Sequence, residues 1–486
     1  MNEEILINFS PMETRVALIE NGILQELHVE RNHQRGIVGN IYLGKITRVL
    51  PGMQAAFVDI GLERKAFIHV DDLHTNKATR TKQSIATLLR AGQSLPVQVV
   101  KDPIGTKGAR LTTQISISSR YLVYLPGTNQ VAISQRIEDE AEKQRLKQIV
   151  EDYIHTDDGS IQAGFILRTA AEDVLPEELH ADIDFLHQLW RQLQEKTKTT
   201  TAPATIREEL PLSLRTLRDL AHLRTKRILI DSRITFHQAK TFVTQWVPDV
   251  VSVLEYYSSE QPIFELYNIE HEIQKALNRK VLLKSGGYLI IDPTEAMTTI
   301  DINTGGYIGH RNLEETLFKT NLEAAMAIGR QLRLRNLGGI IILDFIDMVS
   351  AEHQRQVIRT LEQALEKDRA KIKLTGLSEL GLVEMTRKRT RQSLQQMLCE
   401  SCCSCNGTGI VRTPTTICGA IFRSILRIAR VYHADTYRVL ASQSVIDQLL
   451  DEEAQRLAEL EKLINKTIYL QVEPMYFCEQ FDVVTR

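Results

Sequence analysis

Residues 298–303 read TTIDIN and residues 339–348 read GIIILDFIDM, and these two stretches decide the fold of the region around them. The first follows LLKSGGYLIIDP, and together they predict a pair of strands. The second is an almost unbroken apolar run, typical of a strand covered on both faces. The sequence between them predicts a helix from near Asn312, a capping residue, to Gly338. A further predicted helix, AEHQRQVIRTLEQALEKD, and a strand, IKLTGLS, complete an α/β core.

Carboxylates occur at defined positions on both predicted strands. Asp301 and Asn303 are two residues apart, so they share one face of a strand. Asp344 and Asp347 end the apolar strand, where a carboxylate is costly unless it is neutralised. Mg²⁺ binds one or two carboxylates and could orient a water molecule against a phosphate. The alternative is that these residues form turns or caps, and Asp347 alone is more typical of a cap for the helix after Met348.

Four of the six cysteines fall within seven residues: Cys399, Cys402, Cys403 and Cys405. Two overlapping C-x-x-C pairs followed by glycines are typical of a zinc knuckle. A tetrahedral Zn²⁺ needs four ligands, so the ion uses three or four cysteines of this segment, or two from each of two chains. The alternative is a redox disulfide.

Short alternating runs separated by Gly and Pro, from about Gly39 to Ser119, predict a small barrel. Residues 38–119 contain 11 Lys and Arg residues against 5 Asp and Glu residues, a local net charge of +6. Three aromatic residues, Tyr42, Phe57 and Phe67, alternate with these basic residues. Single-stranded nucleic-acid binders combine stacking platforms with a basic groove. The alternative is that the aromatic residues are core residues.

Length and composition bound the class of protein. The 486 residues suggest about three domains, and the content of 43% hydrophobic and 25% charged residues excludes a wholly disordered chain. The net charge of −2 does not exclude nucleic acid, because binding depends on where charge clusters. The N-terminus lacks the pattern of a signal peptide, and the longest apolar run, at 340–343, is too short to span a bilayer. We therefore expect a soluble, cytoplasmic protein with no membrane segment.

Several long motifs occur in one order along the chain: TTIDIN, LEETLFKTNLEAAMAIGRQLRLRNLGGIIILDFIDM, LTGLSELGLVEMTRKR and C-x-x-C-x-G-T-G. In this order, and almost end to end, the chain resembles the catalytic part of the ribonuclease E/G family of endoribonucleases. It departs from the usual family pattern at Cys403, where Pro is common, and in the glycine-rich loop at 304–306.

The resemblance implies an α+β multidomain fold, in which an S1-type OB-fold barrel is inserted into a ribonuclease-H-like subdomain. The implied parts are a ribonuclease-H-like subdomain (1–37 and 210–279), the barrel (38–119), a 5′-phosphate sensor region (120–209), a DNase-I-like α/β catalytic subdomain (280–397), a zinc-link (398–411) and a small α/β dimerisation domain (412–486).

The resemblance also implies roles for individual residues. Asp301 and Asp344 would hold the catalytic Mg²⁺, and Asn303 would orient the scissile phosphate. Cys402 and Cys405 would each give a ligand to a structural Zn²⁺ shared between two chains. The remaining roles fall to barrel residues that touch RNA and to residues that sense a 5′-monophosphate: Phe57, Phe67 and Lys107 in the barrel, and Arg168, Thr169 and Arg136 in the sensor.

The function implied is Mg²⁺-dependent endonucleolytic cleavage of single-stranded RNA, in rRNA processing and mRNA decay. A 5′-monophosphate would stimulate cleavage, and the products would carry 5′-phosphate and 3′-hydroxyl ends. Homodimers are implied, with tetramers as an open alternative. The rival hypotheses are a non-catalytic, zinc-stapled RNA-binding protein and, ranked last, a chaperone-like protein.

Overall fold

The computed structural model describes residues 2–73, 84–103, 107–137, 139–156, 163–222, 225–306, 313–389, 391–432 and 434–485. Strands and helices are numbered in chain order. The chain forms two compact units, Met1–Leu394 and Gln395–Arg486, and each is described by itself. In the described part of the chain, no helix is both long and apolar enough to cross a membrane.

The first sheet combines the start of the chain with a segment some 200 residues later. Its strands are β1 (Glu3–Phe9), β2 (Glu13–Glu20), β3 (Ile23–Arg31), β14 (Thr225–Ile230) and β15 (Leu254–Tyr256), in the order β15-β14-β1-β2-β3. The first three strands are antiparallel, whereas β14 lies parallel to β1. Four helices accompany this sheet: α4 (Leu212–Asp219), α5 (Arg233–Trp246), α6 (Ile263–Leu266) and α7 (Ile269–Leu277).

The predicted barrel is confirmed. It consists of β4 (Ile41–Leu50), β5 (Ala55–Asp59), β6 (Ala66–His69), β7 (Ser94–Lys101) and β8 (Arg110–Thr112), with the short helix α1 (Ile85–Leu88) between β6 and β7. The strands run in the order β4-β5-β6-β8-β7, and pairing of β7 with β4 closes the sheet on itself. Closure leaves no unpaired edge among these five strands and encloses a core of Val, Ile, Leu and Ala side chains.

A third sheet follows the barrel. It contains β9 (Ile117–Ser118), β10 (Leu122–Pro126), β11 (Val131–Ile133) and β12 (Ala163–Leu167), and its helices are α2 (Glu140–Thr156) and α3 (Pro176–Thr199). Buried residues of α3, including Leu179, Ile183 and Leu186, share one core with the sheet.

The fourth sheet carries the predicted carboxylates. Its strands are β16 (Lys280–Leu282), β17 (Tyr288–Pro293), β18 (Met297–Asn303), β19 (Gly339–Asp344), β20 (Ile372–Leu377) and β21 (Leu382–Arg387), with helices α8 (Leu313–Arg335) and α9 (Ala351–Glu366). The order is β16-β17-β18-β19-β21-β20, and β18 and β19 are parallel. One face of α8 is buried, with Ala325, Ile328 and Leu332 at 0% exposure. The predicted cap, Asn312, lies outside the described residues.

The prediction that β19 is covered on both faces is wrong. Ile341 and Leu343 are fully buried, but Ile340 on the opposite face is 46% exposed. The helices therefore cover one face of this sheet, and the other face is open to solvent. An apolar run alone does not distinguish these two cases, because Ile340 and Ile342 are as hydrophobic as their buried neighbours.

The second unit contains the cysteine segment and a small α/β domain. Its elements after α10 (Leu394–Leu398) are α11 (Pro414–Val431), β22 (Thr436–Ala441), α12 (Gln443–Leu450), α13 (Ala454–Ile464), β23 (Thr467–Val472) and β24 (Phe481–Thr485). The sheet order is β23-β22-β24, and buried residues of α11 and α12 pack with β22 in one core.

Two short strands pair across the predicted domain boundaries. β13 (Ala204–Arg207) pairs with β4 of the barrel, although it lies in the segment predicted as the sensor region. Conversely, β9, at the end of the predicted barrel segment, pairs with β10 of the third sheet. The boundaries themselves stay a prediction.

Candidate active site

The register of β18 and β19 brings the two predicted metal ligands side by side. Asp301 and Asp344 are direct partners in the parallel pair, so they lie on adjacent strands about 4.8 Å apart. Their neighbours Ile300 and Leu343, also partners, are fully buried on the helix-covered face. Side chains alternate along a strand, so both carboxylates project from the open face.

The electrostatics at this pair fit a bound cation. The pKa of Asp344 is raised above its ordinary value, first by desolvation and then by the negative charges of Asp301 and Asp347. Asn303 donates a hydrogen bond from Nδ2 to Oδ2 of Asp301 at 2.8 Å, which fixes the orientation of that carboxylate. A divalent cation would relieve the mutual repulsion, and the all-oxygen donor set suits Mg²⁺.

Asp347 belongs to this acidic group, and its predicted role as a helix cap is wrong. The residue that caps α9 is Ser350, whose Oγ accepts a hydrogen bond from the backbone N–H of His353 at 3.4 Å. Both Asp347 and Ser350 have side chains suited to capping, so the sequence did not separate them.

The loop after Asn303 runs very close to the preceding hairpin. A Cβ at Gly305 would lie 2.5 Å from the carbonyl oxygen of Gly286, and Gly305 has a φ of +61°. Glycine is therefore required here for both space and backbone conformation.

The barrel presents a row of aromatic and basic residues across four strands. Arg48 pairs with Phe57, Phe57 with Phe67, and Phe67 with Arg110. Phe57 is 39% exposed, while its neighbours Ala56 and Val58 are buried, so the row faces outward. This is the arrangement of a stacking platform flanked by cations.

Two other barrel residues behave differently. Lys107 is exposed, and it adjoins Gly108, where a Cβ would meet the carbonyl oxygen of Lys65 at 2.0 Å. Lys107 therefore lies beside the start of β6. Tyr42 is 5% exposed and belongs to the barrel core, so of the three aromatic residues singled out from sequence it is the one that cannot stack on a base.

The three predicted sensor residues are only partly brought together. Thr169 Oγ1 lies 3.4 Å from Ser134 Oγ, and the backbone N–H of Arg136 donates to the same Ser134 oxygen at 3.4 Å. The Arg168 guanidinium is bound by other protein groups, namely the Asp219 carboxylate at 2.6 Å and the carbonyl oxygen of Ser119 at 2.6 Å. A phosphate would have to compete with Asp219 for Arg168.

The cysteine loop has the local geometry of a thiolate site. Backbone hydrogen bonds from Cys405 and Ser404 lower the pKa of the Cys402 thiol. Asn406, Gly407 and Gly409 have positive φ values of 49°, 87° and 75°, which turn the chain tightly after Cys405. Cys399, Cys402 and Cys403 are exposed and Cys405 is half-buried. Among the described residues, no group of three or more His, Cys, Asp or Glu side chains could hold a metal within one chain.

Two models of known protein families match the chain. The model of the Ribonuclease E/G family matches residues 116–390, and that of the S1 RNA binding domain matches residues 37–111. The second match confirms the predicted S1-type OB-fold.

Full-length relatives extend this agreement. Ribonuclease G of Salmonella typhimurium is 54% identical over an alignment of 492 positions, which covers 100% of both chains. Ribonuclease G of Escherichia coli is 53% identical with the same coverage. Ribonuclease E of Nostoc sp. is 39% identical over 404 residues, covering 82% of this chain and 58% of that protein. The chain therefore belongs to the ribonuclease E/G family and resembles ribonuclease G over its full length.

Proposed function

We propose that the chain is a Mg²⁺-dependent endoribonuclease that cuts single-stranded RNA and leaves 5′-phosphate and 3′-hydroxyl ends. Membership of the ribonuclease E/G family supports the reaction class, and the S1 domain supports single-stranded RNA as the substrate. The observation that carries the proposal is the pairing of Asp301 with Asp344 on one open sheet face. We extend the proposal to rRNA precursors and mRNA as substrates and to action in the cytoplasm.

The residues at the site divide the work of catalysis. Asp301 and Asp344 would hold the cation, and their paired register places the two residues side by side on adjacent strands. A Mg²⁺ ion bound there would supply charge stabilisation at the scissile phosphate and an activated water. Asn303, held against Asp301, has amide groups left over that can donate to and accept from the phosphate and the water.

The barrel and the sensor region act on the rest of the strand. Phe57 and Phe67 stack on bases and Lys107 pairs with a phosphate, so the strand is held while it is cut. The Thr169 hydroxyl and the backbone N–H of Arg136, which share Ser134 Oγ, form one side of a 5′-phosphate pocket, and Arg168 completes it by leaving Asp219. The Arg136 guanidinium donates to the carbonyl oxygen of Asp368 at 3.1 Å and supports this side from behind.

The test is cleavage of one defined oligonucleotide in two forms, 5′-monophosphate and 5′-hydroxyl, with Mg²⁺ or with EDTA. We expect fragments only with Mg²⁺, new ends carrying 5′-phosphate, and faster cleavage of the monophosphorylated form. Binding without fragments in Mg²⁺ would favour the rival hypothesis, a non-catalytic RNA-binding protein.

The sensor is checked in the same assay. In the Arg168→Ala variant, the two forms should be cut at the same rate, because the added charge at the 5′ end no longer meets a guanidinium. An unchanged preference for the monophosphate would remove Arg168 from the pocket.

We further propose that Cys402 and Cys405 bind a structural Zn²⁺ shared between two chains, with Cys399 and Cys403 as the alternative ligands. The lowered pKa of Cys402 supports this, since thiolates are the form that binds zinc.

The zinc proposal predicts a stoichiometry of one Zn²⁺ per two chains, measured by metal analysis together with the mass in solution. Cys402→Ser should release the metal and shift the protein towards monomer, whereas Cys418→Ser, at a buried cysteine outside the loop, should change neither. Zinc retained in Cys402→Ser would assign the ligands to other cysteines. If dimers pair into tetramers, the mass in solution would correspond to four chains.

A further inference from the structure

One acidic residue of the site, Asp347, lies in a loop without regular structure, and a second, Asp344, immediately precedes that loop. The loop runs from Phe345 to Ser350, between β19 and α9, and its polar backbone groups need partners from elsewhere. The position of Asp344, at the end of β19, and of Asp347, within the loop, depends on those partners.

A fully buried side chain of α8 holds the middle of this loop. Asn321 has 0% exposure, and its Nδ2 donates to the carbonyl oxygen of Ile346 at 2.8 Å. In return, the backbone N–H of Ile346 donates to Asn321 Oδ1 at 3.2 Å. Ile346 is one of the two residues between Asp344 and Asp347, and the single Asn321 amide satisfies both of its backbone groups.

The far end of the loop is held from the same helix. Glu314 is seven residues before Asn321, about two helical turns, so both face the same side of α8. Its Oε1 accepts a hydrogen bond from the backbone N–H of Ser350 at 3.1 Å. Gln354 of α9 adds a bond from Nε2 to the carbonyl oxygen of Met348 at 2.8 Å.

These contacts differ in what they can control. Glu314 and Gln354 act near the start of α9, where the helix and its Ser350 cap already fix the chain. Asn321 acts next to the acidic residues and is the member of the three that is wholly buried. Because an amide offers a donor and an acceptor in a fixed plane, it sets both the position and the tilt of the Ile346 peptide groups.

We propose that Asn321 is a positioning residue, which clamps Ile346 and thereby sets the geometry in which Asp344 and Asp301 take a divalent cation. This inference rests on the proposed function for its link to Mg²⁺. It predicts that removal of the Asn321 side chain both loosens the loop and weakens the binding of the cation.

The test uses the full-length protein with Asn321→Ala and Asn321→Leu. The first leaves a cavity, the second keeps the branched shape and the number of side-chain heavy atoms, and both remove the two hydrogen bonds. We expect amide hydrogen exchange in residues 344–350, measured without metal, to be about tenfold faster in both variants. We also expect the Mg²⁺ concentration for half-maximal cleavage to rise about tenfold, with a smaller change in the rate at saturating Mg²⁺.

Thr320→Val is the matched control. Thr320 is the neighbouring residue, is equally buried, and donates from Oγ1 to the carbonyl oxygen of Thr316 within α8 at 3.0 Å. It should leave both readouts close to those of the parent, although it too removes a buried hydrogen bond.

Each outcome decides the matter. If exchange or the half-maximal Mg²⁺ concentration in the Asn321 variants equals that of Thr320→Val while the parent cuts RNA, the clamp is refuted and the proposed function stands. If the parent cuts no RNA in Mg²⁺, the proposed function fails, and with it the link between Asn321 and the cation. If either variant is unfolded, the other supplies the comparison, and unfolding of both with Thr320→Val intact would make Asn321 a structural residue and refute the proposal.

Discussion

Replacement of Asp344 with Asn should lower the rate of RNA cleavage at saturating substrate by about a thousandfold or more. The substitution keeps the shape of the side chain but removes the charge that pairs with Asp301 to hold a cation. Charge stabilisation by a catalytic metal is worth several kcal/mol, and each ~1.4 kcal/mol corresponds to a tenfold change in rate. The measurement is single-turnover cleavage of a defined oligonucleotide over a range of Mg²⁺ concentrations.

A matched control exists on the same open face. Glu384, on β21, is exposed and is the strand partner of Ile342. Ile342 is two residues before Asp344 on β19, so Glu384 lies on the same face as Asp344. Glu384→Gln removes one negative charge from the face without touching the acidic pair, so the rate should change less than about threefold. Equal loss in both variants would indicate a general effect of charge, and parental activity in Asp344→Asn would refute the assignment.

The double substitution Phe57→Ala with Phe67→Ala should weaken binding of single-stranded RNA by about 25-fold or more. Stacking on an aromatic ring contributes ~1–3 kcal/mol per base, so two rings contribute at least ~2 kcal/mol. The rings are partners across β5 and β6 and face outward, so their removal leaves the core of the barrel intact. Binding is measured with EDTA present, which separates it from cleavage.

Phe9→Ala is a suitable control for the barrel experiment. Phe9 is 41% exposed, close to the 39% of Phe57, but it lies on the first sheet. It should leave RNA affinity unchanged. If the double variant binds as tightly as Phe9→Ala, RNA does not stack on this row, and the basic residues alone account for binding.

The acidic pair was predictable because strand geometry is strictly periodic. Asp301 and Asn303 share a face at any register, and two polar residues at strand ends favour a common edge. The register that makes Asp301 and Asp344 direct partners depends on how α8 packs under the sheet, and no local pattern encodes it. The sequence did not predict the open face of β19 either, because the hydrophobic residue Ile340 gives no sign that it is exposed.

It was harder to predict from the sequence which barrel residues face the core and which face outward. Tyr42 and Phe57 both occupy alternating positions near basic residues. Tyr42, however, is buried in the barrel core and is not part of the outward-facing row of aromatic and basic residues. Which phase of the alternation faces inward is decided by closure between β4 and β7. Asn321 gave no sequence signal at all, because an Asn within a helix has meaning only through the loop packed against it.

The strand order of the first sheet has a consequence for the order in which parts of the chain fold during synthesis. Glu3 of β1 pairs with Thr225 of β14, whereas the strands that close the barrel all lie between Ile41 and Thr112. During synthesis at ~5–20 residues per second, β1 must wait roughly 10–45 s for its parallel partner to leave the ribosome. The barrel can therefore acquire its native structure on the nascent chain before the sheet into which it is inserted is complete.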